Sequence, residues 1–320
     1  MLRVGVIRGG IGHEYEVSLK TGSSVLKHLD KNKYQTRDIL IDKTGQWHFD
    51  GVPLDPTLLP DIIDVALIAL HGEYGEDGQV QNLLDRLKVP YTGSGHVASS
   101  LGMNKVLSKE LVVKAGIKTP LGIEIKEGDD YHESAKKTFS KISPPWVVKP
   151  VDRGSSVGLY LAKNIDELIE AIDKSFEFTD KVLIEEYIKG REGTCGVVED
   201  LRGQEIYPLF PIEIIPPKGE KIWGYADKYS GETTEVCPAN FTDEQKKNIQ
   251  EMAVTVHQVL GLCHYSQTDF IISPRGIYFL ETNTLPGLTD TSLLPKALAA
   301  AGIKYPDFLD HLIKLALKRH

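Results

Sequence analysis

The stretch Asp64–Leu70, DVALIAL, is apolar without alternation. A strand exposed on one face alternates apolar and polar residues. This one therefore asks for cover on both faces, as a central parallel strand receives from flanking helices. The residues before and after it supply that setting. Strands are predicted at Arg3–Arg8 and Thr36–Ile41, and helices near Glu16–Leu29 and Gln79–Leu87. Alternating strands and helices of this kind make a Rossmann-like α/β layer. A chain of 320 residues exceeds one ordinary small core, so further domains follow.

Beyond the layer, a helix is predicted from about His96 to Ala115, with Gly116 as its stop and Pro120 just past it. WVVKP and GLYLAK flank a glycine/serine loop. Asn164 is placed to cap the helix that NIDELIEAI begins, with Glu167 at its third position. VLIEEYIKGREGT marks a change of subdomain near residue 187. The loose, charged stretch IPPKGEKIWGYADKYSGETTEV reads as a lid. Thr242 and Gln245 form a capping box for a helix that buries Ile249, Met252, Ala253, Val256, Val259 and Leu260. The predicted boundaries are 1–95, 96–187 and 188–320.

The net charge of −8 argues against a nucleic-acid partner, which asks for a basic surplus. Cys195, Cys237 and Cys263 are odd in number and unclustered, as packing residues in a reducing compartment are. LRVGVIRGG opens as a strand, leaving no room for a signal peptide, and no apolar run approaches the roughly 20 residues of a membrane span. A cytoplasmic protein is expected.

The acidic residues of SQTDFIISPRGIYFLETNTLPG are placed against expectation. Strands Thr268–Ile272 and Ile277–Glu281 would join through a three-residue loop, Pro274-Arg275-Gly276, with Gly276 in its left-handed position. Pairing Ser273 with Ile277 then sets Asp269 opposite Glu281, with Asn283 diagonal to both. Facing carboxylates repel across a ladder unless a cation joins them. Their hard oxygens, with that of Asn283, suit Mg²⁺ holding nucleotide phosphates. A solvated hairpin face is the competing reading.

Four other segments are candidates. VVKPVDRGSSVG offers Lys149 at a strand end and small residues that let backbone N–H groups approach phosphate oxygens, although a plain hairpin would also look like this. It is not a Walker A loop, since no GK[ST] follows. IEEYIKGRE places Glu185 and Glu192 so that the Glu186–Ile188 backbone can meet an adenine edge, or else forms a charged connector. HGEYGEDG starts where the DVALIAL strand ends, the position at which open α/β sheets bind ligands, and makes His71 a candidate, a structural histidine being the competing reading. Glu14, in GGIGHEYEVSL, lies at a glycine-rich turn and a helix N-terminus, where complementing the helix dipole is the competing reading. PYTGSGHVA imitates a dinucleotide fingerprint at Gly93, Gly95 and Ala98. It follows a late strand and lacks the acidic partner, which disfavours NAD.

In this order, GHEYEVSL, HGEYGEDGQVQNLL, PYTGSG, MNKVLSK, VVKPVDRGSSVG, IEEYIKGRE, DKY, CPA and ETNTLPGLTDTSLLP resemble the D-alanine–D-alanine ligases of the ATP-grasp superfamily over nearly the whole chain. The resemblance implies an ATP-grasp fold: a Rossmann-like N-terminal domain followed by two α+β subdomains that clasp ATP. It implies ATP-dependent joining of two D-alanines through an acyl phosphate, in a homodimer. Lys105, Lys149 and Lys228 would contact phosphates, and Glu185, Glu186, Ile188 and Glu192 the nucleoside. Asp269, Glu281 and Asn283 would hold two Mg²⁺ ions, for which Mn²⁺ could substitute. Glu14 would receive the first D-alanine's ammonium, with His71 near its carboxylate, and Ser155 and Tyr229 would link to Glu14. Ser292 and Leu293 would line the second subsite.

The chain departs from the family pattern at Gln267, where arginine is usual, and at Gly12, where serine is common. A neutral amide at 267 can donate a hydrogen bond to an oxyanion but brings no charge. Loss of one such donor costs on the order of 2.7–4 kcal/mol of transition-state stabilisation. Two further readings follow from Gln267: an ATP-grasp ligase with another amino-acid or hydroxy-acid acceptor, and a nucleotide-binding homologue weakened in catalysis.

Overall fold

A computed structural model describes residues 1–154, 157–217 and 233–319. Ser155, Lys228 and Tyr229 lie outside the described residues, as does most of the segment read as a lid.

The N-terminal sheet has the order β4-β3-β2-β1-β5. It is built from β1 (Leu2–Gly9), β2 (Tyr34–Ile41), β3 (Trp47–Phe49), β4 (Val52–Leu54) and β5 (Val65–Ile68). β1 pairs in parallel with β2 and β5, while β3 and β4 continue antiparallel. The centre of the parallel set is therefore β1, and the DVALIAL strand lies next to it at the end of the sheet. β5 is nonetheless buried at all four positions. Its outer edge is covered by a short parallel bridge, in which the Ala66 N–H donates to Pro90 O at 2.7 Å and the Thr92 N–H to Ala66 O at 3.0 Å. Lack of alternation reported burial correctly but not position in the sheet, because a loop covers an edge as well as a strand does. The C-terminal helix Tyr305–Lys318 buries Phe308, Leu309, Leu312 and Ile313 in the same core as this sheet.

The second sheet, β6-β9-β7-β8, consists of β6 (Gly122–Lys126), β7 (Trp146–Pro150), β8 (Tyr160–Ala162) and β9 (Lys181–Glu186), all antiparallel. Trp146, Val148 and Ile184 pack against the helices Tyr131–Lys141 and Ile165–Ser175. Asn164 caps the second helix, accepting from the Glu167 N–H at 2.9 Å.

The third sheet runs β13-β12-β10-β14-β15, with β11 beside β10. Its strands are β10 (Arg191–Leu201), β11 (Gln204–Pro208), β12 (Ile212–Ile215), β13 (Thr234–Val236), β14 (Tyr265–Ser273) and β15 (Gly276–Asn283). The helix Asp243–Val259 covers one face, and its capping box is present at Thr242 and Gln245. The three cysteines form no disulfide, and Cys195 is buried in this core. No helix among the described residues is long and apolar enough to cross a membrane.

Two local predictions are corrected. The helix expected from His96 to Ala115 is two helices, His96–Met103 and Lys105–Lys114. Asn104 leaves helical geometry (φ −79°, ψ 102°) and caps the second helix, accepting from the Leu107 N–H at 3.0 Å. Asparagine competes with the helix for backbone hydrogen bonds, and here it wins. Both helices pack on the third sheet, where Ala98 and Val112 join its core.

The hairpin register is corrected as well. Ser273 pairs with Gly276 and Ile272 with Ile277, one residue off the predicted ladder, whereas Asp269 still faces Glu281. A bulge at Leu280 reconciles the two registers. A regular ladder would set Ile277 and Phe279 on the same face as Glu281. The bulge lets them turn to the core beside Phe270 and Ile272 while Glu281 and Asn283 keep the opposite face.

Candidate active site

Two clefts meet at Asp269. One, of about 260 Å³, lies between the second and third sheets and is lined by Lys149, Glu185, Glu186, Ile188, Glu192, Asp269, Leu280 and Glu281, among others. The other, of about 540 Å³, is lined by Glu14, His71, Glu76, Gln267, Asp269, Asn283, Ser292, Leu293 and Lys296, among others. Asp269 belongs to both walls.

Asp269 is 5 % exposed. It accepts from Thr194 Oγ1 at 2.6 Å and from Asn283 Nδ2 at 3.4 Å. Across the ladder, Glu281 lies 3.4 Å from Lys105 Nζ. Lys105 is delivered by the helix break at Asn104: its N–H donates to Val151 O at 3.0 Å and its ammonium to Arg153 O at 2.5 Å. Burial lowers its pKa, opposed by Glu281.

Lys149, at the end of β7, meets Glu185 of β9 at 2.8 Å, and Lys109 pairs with the other oxygen of the same carboxylate. All three side chains are buried. Burial pushes Lys109 down to about 8, against the pull of Glu185. Burial opposes the charge of Lys149 too, but Glu185 and Glu281 together raise its pKa. Glu185 is held below its ordinary value, its burial outweighed by the two lysines. At neutral pH the trio carries a net positive charge beside the cleft, which suits an anionic ligand.

The Glu186–Ile188 backbone runs along the cleft wall. The Glu186 and Tyr187 N–H groups are committed to Leu121 O and Pro145 O. Ile188 is thus the residue of the three whose N–H has no backbone acceptor among the described residues.

Around the larger cleft, Glu14 precedes the helix Tyr15–His28. Gly72 (φ +62°) and Gly154 leave it room, since a Cβ at those positions would lie 2.4 Å and 3.1 Å from Glu14 Oε2. His71 is buried, with Nδ1 2.9 Å from Leu285 O and Nε2 2.8 Å from Thr21 Oγ1. A carbonyl only accepts, so Nδ1 carries the proton and Nε2 accepts from the threonine hydroxyl. Burial lowers the His71 pKa, which fits a neutral ring. His71 therefore reaches the cleft wall with both nitrogens already engaged, tying the loop after β5 to the loop after β15. Ser292 precedes the helix Leu293–Ala300 and accepts from the Thr289 N–H at 3.1 Å.

Sequence reading passed over four participants. Glu76, in HGEYGEDG, accepts from the Gly72 and Leu285 N–H groups at 2.9 Å each, and burial together with nearby Glu14 raises its pKa to about 7. Lys109 lies one helical turn after Lys105, a spacing that could have revealed it. Thr194 shows only through the β10–β14 register, which pairs it with Asp269. Lys296 lies one turn after Ser292. The Gly93 turn is a packing junction: its N–H donates to His264 Nδ1 at 3.1 Å and its carbonyl accepts from Arg319.

A family model described as "D-ala D-ala ligase C-terminus" matches residues 111–314, and one described as "D-ala D-ala ligase N-terminus" matches residues 3–58 and 52–94. The D-alanine--D-alanine ligase of Syntrophobacter fumaroxidans is 41% identical over 323 residues, covering 99% of this chain and 98% of the relative. The crystal structure of the VanG D-Ala:D-Ser ligase from Enterococcus faecalis superposes with a TM-score of 0.85 at 30% identity, covering 98% of this chain and 99% of that one. The D-alanine--D-alanine ligase from Bacillus anthracis complexed with ATP superposes at 0.80 and 33% identity, covering 100% and 98%.

Proposed function

The chain belongs to the D-alanine–D-alanine ligase family, and from that premise we propose that the clefts meeting at Asp269 hold the two halves of one reaction. It is an ATP-grasp ligase that joins two D-alanines at the expense of ATP, for peptidoglycan synthesis. The carrying observation is the shared wall: Asp269 lines both clefts, so a phosphoryl group in one stands next to a carboxylate in the other.

In this reading ATP occupies the smaller cleft. Its base lies along Glu186–Ile188, its ribose near Glu192, and its phosphates toward Lys105 and Lys149, with Lys228 completing the set. Glu185 holds Lys149 and Lys109 in place. Asp269, Glu281 and Asn283 would hold two Mg²⁺ ions, or Mn²⁺. Their donor chemistry fits: two carboxylates and an amide are hard oxygen ligands. Three protein side chains would leave further coordination positions for phosphate oxygens and water. When bound, the ions offset charge on the transferring phosphoryl group.

Glu14 takes the first D-alanine's ammonium, with His71 and Glu76 fixing the loop beside it. The D-alanine carboxylate attacks the γ-phosphorus, ADP leaves, and an acyl phosphate remains. The second D-alanine, held by Ser292 and Leu293, attacks the acyl carbon through its unprotonated amine, and phosphate departs. Gln267 donates to the oxyanion formed there. Water would hydrolyse the acyl phosphate, which is the reason for an enclosed site.

A cytoplasmic homodimer divided near residues 95 and 187 belongs to the same reading. The test is ADP release and mass-spectrometric detection of D-alanyl-D-alanine from D-alanine and Mg·ATP. Absence of D-alanine-dependent turnover at saturation would overturn it.

A further inference from the structure

Glu185 lines the smaller cleft, and Lys109 reaches it from the helix Lys105–Lys114 without itself joining the cleft wall. Lys109 takes one carboxylate oxygen. Lys149, which does line the cleft, takes the other at 2.8 Å. The Glu185 side chain is 2 % exposed and the two lysines 8 % each, so water satisfies little of this charge. An ionised carboxylate only accepts hydrogen bonds, whereas a protonated one can also donate. One lysine is enough to neutralise Glu185. The second leaves a positive excess that keeps the proton off, against the burial that favours it. That excess bears on what the cleft can recognise. Along one edge adenine presents an N1 acceptor and a 6-amino donor. Hypoxanthine presents the reverse, an N1–H donor and a 6-oxo acceptor. The Ile188 N–H suits the first atom of adenine, and an ionised Glu185 suits the second.

We propose that Lys109 is a positioning residue for nucleobase selection: by holding Glu185 as a pure acceptor it makes the cleft take 6-amino purines and reject 6-oxo purines. This inference rests on reading the smaller cleft as the ATP site. A role confined to stability would weaken every nucleotide alike. A role in selection changes the ratio between two bases, and it acts only through Glu185.

The experiment measures dissociation constants for Mg·ATP and Mg·ITP by calorimetry, on full-length wild type, Lys109→Met, Lys109→Arg, Glu185→Gln and the double variant Glu185→Gln/Lys109→Met. Lys109→Met leaves Lys149 and Glu185 as a one-to-one pair, so no buried charge loses its partner. The preference for ATP over ITP should fall by on the order of 10- to 100-fold, the worth of one charge-assisted hydrogen bond. Lys109→Arg should keep most of it. The mismatch of hypoxanthine with the Ile188 N–H is common to all the variants and cancels in the comparison. Glu185→Gln, whose amide can donate to a 6-oxo group, should lose the preference too, and adding Lys109→Met should change the ratio no further. The inference is overturned if Lys109→Met weakens both nucleotides equally, if its effect on the ratio persists beside Glu185→Gln, or if wild type binds the two alike. D-alanine-dependent ADP release is followed in the same proteins. Its absence in wild type would overturn the proposed reaction, while the binding ratios still decide the role of Lys109.

Discussion

Thr194 donates its hydroxyl to Asp269 Oδ1 at 2.6 Å from the neighbouring strand, and both side chains are buried. The bond fixes the rotamer of an acid that stands opposite Glu281. Thr194→Val keeps the shape and removes the donor. Divalent-metal affinity should fall about 10- to 100-fold, as when other groups that orient metal ligands are lost. Titration of D-alanine-dependent ADP release with Mg²⁺ measures it. An unchanged midpoint would show that Thr194 does not orient the acid.

Glu185 is the carboxylate paired with two buried lysines, so Glu185→Gln leaves Lys109 and Lys149 facing each other with only the more distant Glu281 opposing their repulsion. Breaking a buried pair from one side costs about 3–5 kcal/mol. Urea unfolding should show a loss of that order, and adding Lys109→Met should restore part of it. Equal stability of the two variants would place the compensating charge elsewhere.

A pH effect follows from His264. Burial lowers its pKa from the ordinary imidazole value of 6.5 to about 4, with Glu199 opposing and Arg319, His257 and His311 contributing. Between those values the unfolded chain binds a proton that the folded chain does not. Stability therefore rises with pH across this window and is lost as pH falls through it, by on the order of 3 kcal/mol at most. Glu76 acts in the opposite direction. Its folded pKa of about 7 exceeds the ordinary carboxylate value of 4.5, so between the two the folded chain binds the extra proton and stability falls as pH rises. The diagnostic is thus the difference between wild type and a variant. Asparagine tolerates the positive φ of residue 264 (+65°) and can still accept from the Gly93 N–H. His264→Asn should lose the His264 part of the slope between pH 4 and 6.5. Parallel denaturation profiles for the two proteins would exclude His264 as its source.

Gln267 is 7 % exposed, lines the amino-acid cleft and pairs with Asn283. Gln267→Arg should raise D-alanine-dependent kcat/KM, by up to about 10²-fold if charge at that position limits oxyanion stabilisation. Steady-state kinetics at saturating Mg·ATP would detect it. No change would mean that the amide already suffices.

Most of this architecture could be read from local signals. The caps at Asn164 and Thr242 declare themselves because capping depends on neighbouring residues alone. The opposition of Asp269 and Glu281 was also legible, but through the wrong ladder, since the tip register and the bulge at Leu280 offset each other. A bulge is set by which side chains the core demands, and Phe270, Ile272, Ile277 and Phe279 make that demand only once the third sheet exists. Asn104 was misread for a similar reason. Its local cap on the Leu107 N–H is accompanied by the Lys105 N–H bond to Val151 O, a contact between distant segments that the sequence does not display. Thr194, Glu76 and Lys296 have no motif of their own and gain meaning from the strands and loops opposite them.

The Leu280 bulge gives β15 a division of labour along its length. Outward of that residue the strand serves hydrophobic cohesion; inward of it, the same strand presents oxygen ligands; and Leu280 itself supplies an apolar surface in the smaller cleft. Deleting this one residue would leave no frame that satisfies both halves. Either Ile277 and Phe279 would be wrung out of the interior, or Glu281 and Asn283 would be driven into it, so folding and catalysis share a single point of failure.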